Sequence, residues 1–427
     1  MNRFLNFWLF FIVVVPFPLF AYLDPGSGSM LFSAVVGIVA TLFFIIKGVF
    51  FKMLDIPAYF AGIRREKKSN YSIVFYSEGP QYWNVFKPVI EELNKRGIEL
   101  TYLSSKENDP GLNCGFENVE TKYIGEGNKA FFYLNTLSAD VCVMTAPGLD
   151  VLQIKRSRGV KKYVHIPHST GGGCSGYSTY GTDYYDAVLT GGDADITFIR
   201  ELEKVRNLPE KELVAIGCTY MDILREKTAN LKTENLSDRT TVLLSPTWGI
   251  HGLLKKNGEK ILTYLLNLNK YNIIIRPHPQ GWISDKKIIE YLRNKFPDGE
   301  NILWDDAPEG TASMKKADIM ISDFSGIIFD FILLFEKPVL AFKGSYDKRG
   351  HDSMDISGDP WVLQAVEKIG VSIEEKDIEN LDELIGEKLG NKEVFAKHLE
   401  FIHESMDKYP GESGERGTEA ILKLIAK

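Results

Sequence analysis

Residues 317–342 read "ADIMISDFSGIIFDFILLFEKPVLAF". A short β-branched run, "ADIMIS", stops at the polar turn "DFSG". An apolar stretch follows in which Ile327, Ile328, Phe331 and Ile332 recur at helical spacing, and a second run, "PVLAF", begins a few residues later. Strand, turn, helix, strand is the unit of a parallel sheet, because two strands run the same way only if a crossover carries the chain back.

The same alternation extends in both directions. "TVLLSP" (241–246), "YNIIIRP" (271–277) and "NILW" (301–304) complete one set of strands with the two already quoted. Upstream lie "SIVFYS" (72–77), "IELTYL" (98–103), "ADVCVMT" (139–145), "KKYVHIP" (161–167), "DAVLTGG" (186–192) and "ELVAIGC" (212–218). Runs so continuous in apolar residues suit strands buried on both faces. Amphipathic stretches such as "YWNVFKPVIEELNKRG" (82–97), closed by a glycine stop, supply the helices. The polar, strandless segment "REKTANLKTENLSDRT" separates the two series. The pattern predicts two Rossmann-like α/β domains, 61–224 and 241–427, joined by a linker at 225–240 and facing each other across a cleft. The tail from Ser372 carries no further strand signal and is expected as charged helices of the second domain.

Composition agrees with this size. A chain of 427 residues exceeds one ordinary core, and 44% hydrophobic with 25% charged residues describes a globular protein. A formal charge of -7 argues against a nucleic-acid partner. Four scattered cysteines, Cys114, Cys142, Cys174 and Cys218, have neither the short spacing of a zinc site nor that of a disulfide frame.

The first sixty residues differ. Residues 4–23 are apolar apart from Asn6, and residues 25–46 carry no charge. Each is near the roughly 20 residues that cross a hydrocarbon core as a helix, and "YLDPGSGS" lies between them as a turn. Lys47, Lys52, Arg64, Arg65, Lys67 and Lys68 follow, against Asp55 and Glu66 only. By the positive-inside rule that flank stays in the cytoplasm. The expectation is a membrane hairpin of two transmembrane helices over 1–60, with the body on the cytoplasmic side of the inner membrane. A signal peptide ending near Ala21 is the other reading.

In open parallel sheets ligands bind beyond the carboxyl ends of the strands. There the sequence delivers "HIPHSTGGGCSGYSTYGTD" in the first domain, and "SPTWG", "RPHPQG" and "SDFSGIIFDF" in the second. Ser325 and Gly326 open a helix, whose free N–H groups and positive dipole end suit phosphate oxygens; N-capping by Ser325 or Asp323 is the ordinary alternative. Arg276 offers a planar fork suited to phosphate, and His278, held between Pro277 and Pro279, can donate or carry a proton. His168 follows Pro167 and precedes small residues, which fits a general base. His165, on the opposite face of the strand, reads as structural. No Walker motif or strict G-x-G-x-x-G occurs, and metal-ligand spacing is missing.

Together, "LLSPTWG" (243–249), "IIIRPHPQ" (273–280), the 317–342 stretch and "YDKRGHDSMDISGDPW" (346–361) resemble the CDP-glycerol glycerophosphotransferase family in order and spacing. "IPHSTGG" resembles its His-Gly segment, and "AIGCTYMD" (215–222) its Gly-x-x-x-x-Asp strand end. The resemblance spans residues 160–365. It implies two Rossmann-like domains of glycosyltransferase-B type, here preceded by N-terminal transmembrane helices. It further implies transfer of glycerol phosphate from CDP-glycerol to a hydroxyl of a lipid-linked surface-glycan acceptor at the membrane, releasing CMP and needing no cofactor. On that resemblance His168 matches the base for the acceptor hydroxyl, and Arg276 and His278 match the pair near the donor diphosphate. Asp323, Ser325 and Gly326 match the phosphate-holding segment, and Thr247 and Arg349 match further donor contacts. The sequence departs from the family where Gly326 replaces a second serine and where "PHSTGGG" lacks the flanking Trp and Lys. Two other readings stay open at this point: a nucleotide-sugar glycosyltransferase or epimerase of the same fold, and a non-catalytic nucleotide-binding protein of envelope assembly.

Overall fold

The computed structural model describes residues 71–426 apart from 169, 171–172, 230, 232–237, 308, 345–347 and 370–371. Residues 69–427 form one compact unit with two parallel sheets. The first holds β1 (Tyr71–Ser77), β2 (Leu100–Ser104), β3 (Val119–Tyr123), β4 (Ser138–Met144), β5 (Gly159–His165), β6 (Ala187–Thr190) and β7 (Glu212–Ala215), in the order β3-β2-β1-β4-β5-β6-β7. The second holds β8 (Thr240–Leu244), β9 (Tyr271–Ile275), β10 (Ile302–Trp304), β11 (Ile319–Ser322), β12 (Val339–Phe342) and β13 (Ser372–Ile373), in the order β10-β9-β8-β11-β12-β13. In both, the order reverses between the first and fourth strands of the set. Neighbouring crossovers there leave to opposite faces and open a crevice.

The side-chain period of two explains the burial. Val242, Leu244, Ile273, Ile275, Ile319 and Ile321 enter the core on one face of the second sheet, while Leu243, Ile274 and Met320 enter the core on the other. Register then fixes the rim. Leu244 pairs with Ile275 on one side and with Ile321 on the other, so Ser245, Arg276 and Ser322 leave the sheet at one level. The Arg276 amide donates to the Leu244 carbonyl at 2.9 Å and the Ser245 amide to the Ile321 carbonyl at 3.0 Å.

Four expectations need correction. The fold class is corrected to two parallel α/β sheets for the described residues, among which no helix is long and apolar enough to cross a membrane; the N-terminal transmembrane hairpin expected over 1–60 lies outside the described residues. Strands β3 and β13 were not expected. "VETKY" is a half-exposed edge strand with polar residues, and β13 is two residues long. The linker expected at 225–240 begins inside the helix Thr219–Ala229, because Arg225 pairs with Asp222 and buried Asp407. Finally, the tail does not stay with the second sheet. The helix Ser413–Ala426 buries Ala420, Ile421 and Leu424 against Val85, Phe86 and Val89 of the first-lobe helix Trp83–Lys95. Asp222 steers it there by accepting from the Gly411 amide at 2.7 Å and the Ser413 amide at 3.2 Å.

Candidate active site

Three loops leave the second sheet side by side. After β9, Arg276 is 6% exposed, its Nη1 donating to Asp305 Oδ2 at 2.8 Å and to the Ala307 carbonyl at 2.9 Å. Gly310 lies directly over this side chain; a Cβ there would come 2.6 Å from Arg276 Nε. The guanidinium is therefore fixed in place, and its charge is shared with Asp305. His278 Nδ1 accepts the Gln280 amide at 3.1 Å. An acceptor Nδ1 puts the proton of the neutral ring on Nε2, which makes Nε2 a donor. Burial lowers the His278 pKa and favours that neutral form.

After β11, Asp323 is 2% exposed. Its carboxylate accepts the Thr247 amide at 2.9 Å and the Leu253 amide at 3.0 Å, which ties down the loop after β8. Burial nevertheless pushes its pKa up to about 6. Asp323 thus serves the backbone of the neighbouring loop, and Thr247 is one of the residues it holds. Ser325 and Gly326 follow, and Gly326 caps the helix Ile327–Phe335.

These loops form one wall of a cleft of about 490 Å³. Arg276, His278, Ser325 and Gly326 line it with Ser245, Glu309 and Asp330, and the opposite wall carries Asn84, Thr170, Tyr220 and Lys227 from the first lobe. Four of the eight expected site residues therefore share one space. Thr247 and Asp323 stand behind the wall as supports. Arg349 is exposed on a turn outside the cleft lining, beside Gly350, whose carbonyl accepts the Thr179 amide at 3.2 Å. His168 is half-buried and also absent from the lining; its ring meets Tyr82 edge-on at 5.3 Å and stacks on Tyr177 at 5.9 Å. Burial lowers its pKa. His165 is fully buried, with Nε2 2.9 Å from the Tyr177 hydroxyl.

Sequence reasoning missed Asp330. It lines the cleft, its Oδ1 accepts the Thr170 hydroxyl from the other lobe at 2.5 Å, and burial pushes its pKa up to about 6. The signal was available: Asp330 is the one charged residue in "IIFDFILLF", and a lone acid in an apolar helix needs a reason.

The family model described as CDP-glycerol:poly(glycerophosphate) glycerophosphotransferase matches residues 181–353. That stretch runs from the glycine-rich loop of the first lobe through nearly every second-lobe motif quoted above. The resemblance read from the sequence holds over that stretch, which is less than half of the chain, and supports a glycerophosphotransferase-like enzyme. No curated protein sequence matches the chain. Among solved structures, a UDP-GlcNAc 2-epimerase from Neisseria meningitidis shares 16% identity over 82% of this chain and 100% of its own, with a TM-score of 0.54. A glycosyltransferase from Rickettsia africae shares 15% over 84% and 99%, with a TM-score of 0.50. Both are likenesses of fold. The wall teichoic acid polymerase TagF aligns at 13% identity over 92% of this chain and 98% of its own, with a TM-score of 0.46, a superposition that adds nothing to the assignment.

Proposed function

We propose that this enzyme moves glycerol phosphate, or a related polyol phosphate, from CDP-glycerol to a hydroxyl of a lipid-linked surface-glycan acceptor, with CMP as the leaving group. The observation that carries the reading is the convergence of Arg276, His278 and the Ser325–Gly326 helix start on one cleft that both lobes line. In the reaction the acceptor oxygen forms a bond to the phosphorus bearing the polyol. The bond from that phosphorus to the bridging oxygen breaks, and CMP departs with the electron pair. Charge spreads over the phosphoryl oxygens as this happens, so donors fixed beforehand lower the barrier. The Nε2–H of His278, the helix-start amides and the guanidinium of Arg276 are the donors in this reading. His168 takes the acceptor proton; a lowered pKa keeps its ring neutral and able to accept. It sits two residues from Thr170, which lines the cleft. Asp323 and Thr247 complete the donor side through the loop after β8, while Arg349 lies outside the cleft lining. The cytoplasmic face of the inner membrane is the proposed place, since a nucleotide donor and a lipid-linked acceptor meet there.

The test is CMP release by purified protein given CDP-glycerol and a lipid extract containing acceptor. Release by the wild type and its loss in His278→Ala support the reading. Release that is unchanged in His278→Ala overturns the site, and binding of UDP- or GDP-sugars in preference to CDP-glycerol overturns the donor.

A further inference from the structure

Asp330 belongs to none of the roles above, yet it is the carboxylate most firmly built into the cleft. It lies four residues beyond Gly326 on the same helix, hence about 6 Å further along the axis at 1.5 Å per residue. Its Oδ1 accepts a hydrogen bond from the hydroxyl of Thr170, which reaches across from the first lobe. Among the described residues no hydrogen bond to its other oxygen occurs.

An ionised carboxylate only accepts hydrogen bonds. Phosphate oxygens near neutral pH have no proton to offer it and repel it, so its ligand partner must be a donor displaced from the phosphate. On a nucleotide-activated polyol phosphate bound at the helix start, the polyol hydroxyls are donors of this kind. Thr170 supplies a hydroxyl to Asp330. We infer that Asp330 reads a hydroxyl of the transferred polyol and that Thr170 occupies the position until the polyol arrives. The inference rests on the donor proposed above and adds the residue that selects its polyol. A polar site left without its hydrogen-bonding partner discriminates strongly between ligands that do and do not supply one.

The experiment is calorimetric titration of the full chain with CDP-glycerol and with the n-propyl ester of CDP, which keeps the nucleotide, diphosphate and three carbons but lacks both hydroxyls. The wild type is expected to prefer CDP-glycerol at least tenfold, and Asp330→Leu to bring the two within about twofold. Thr170→Val should keep the preference and tighten CDP-glycerol several-fold, because a competing hydroxyl has gone. A tenfold preference that survives in folded Asp330→Leu overturns the assignment, as does a wild type that binds both esters equally. Where Asp330→Leu does not fold, Asp330→Asn reads the same ratio: a drop of threefold or more supports the inference and an unchanged ratio overturns it. A wild type that binds neither ester defeats the donor reading itself, and this inference with it.

Discussion

Arg206 of the first lobe and Asp352 of the second form an ion pair at 2.7 Å, with side chains 8% and 1% exposed. The same guanidinium donates to Asp183 at 2.7 Å and to Asp355 at 2.8 Å. Asp352 in turn accepts the Tyr180 and Gly181 amides at 2.7 and 2.9 Å. The segment after β12 is thereby docked on the glycine-rich loop of the first lobe, and one cation serves three carboxylates.

Removing that cation leaves buried carboxylates unpaired. Arg206→Met should lose about 3 kcal/mol or more of unfolding free energy, the range for breaking a buried pair from one side. Asp355→Asn, at a more exposed position, should lose less than about 1 kcal/mol. Urea denaturation of both variants checks the contrast.

Asp323 gives a pH signature. Its pKa in the fold is about 6, above the ordinary carboxylate value. The folded state therefore holds the proton more tightly, and this group's contribution is complete below pH 4 and lost as pH rises through 6. Asp323→Asn has no such loss. It should compare worst with the wild type at pH 4 and gain on it by about 2 kcal/mol by pH 7, at 1.36 kcal/mol per unit. Denaturation midpoints at the two pH values read this directly.

His278 acts through Nε2 because Nδ1 is occupied by the Gln280 amide. His278→Ala should lower kcat at least 100-fold, in line with loss of a fixed donor. His278→Gln, whose amide reaches the Nε2 position, should retain more activity than His278→Ala. With burial holding the ring neutral, wild-type kcat should show no His278 titration between pH 7 and 8, which a pH–rate profile measures.

The tail helix is the remaining target. Ile421 is fully buried against the first-lobe core, so Ile421→Ala should cost about 2–5 kcal/mol. Hydrogen exchange should speed up first in the helix Trp83–Lys95, on the far side of the chain's sequence from the substitution.

What the sequence made legible follows from burial. Strands such as "YNIIIRP" and "ADIMIS" are covered on both faces, so their apolar runs were unbroken and each was found within a few residues. β3 is exposed at an edge, and "VETKY" carries no comparable run. Strand ends pointed to the cleft because polar residues gather there, and Arg276, His278, Ser325 and Gly326 meet as that logic requires. Roles were harder to read than positions. Arg276 is paired with Asp305, 29 residues on, and Asp323 turns inward to a loop 76 residues earlier; neither partner is marked locally. Asp330 is marked in the sequence as a lone acid in an apolar helix, but its partner Thr170 comes from the other sheet.

The return of residues 413–426 to the first lobe reaches beyond the finished molecule. While the chain is being made, the helix Trp83–Lys95 emerges early with Val85, Phe86 and Val89 uncovered on the side the tail will take. More than three hundred further residues must be translated before the cover exists, on the order of half a minute at about 5–20 residues per second. The nascent chain thus carries a sticky surface through most of its synthesis, and the lobe made first is the last to be sealed.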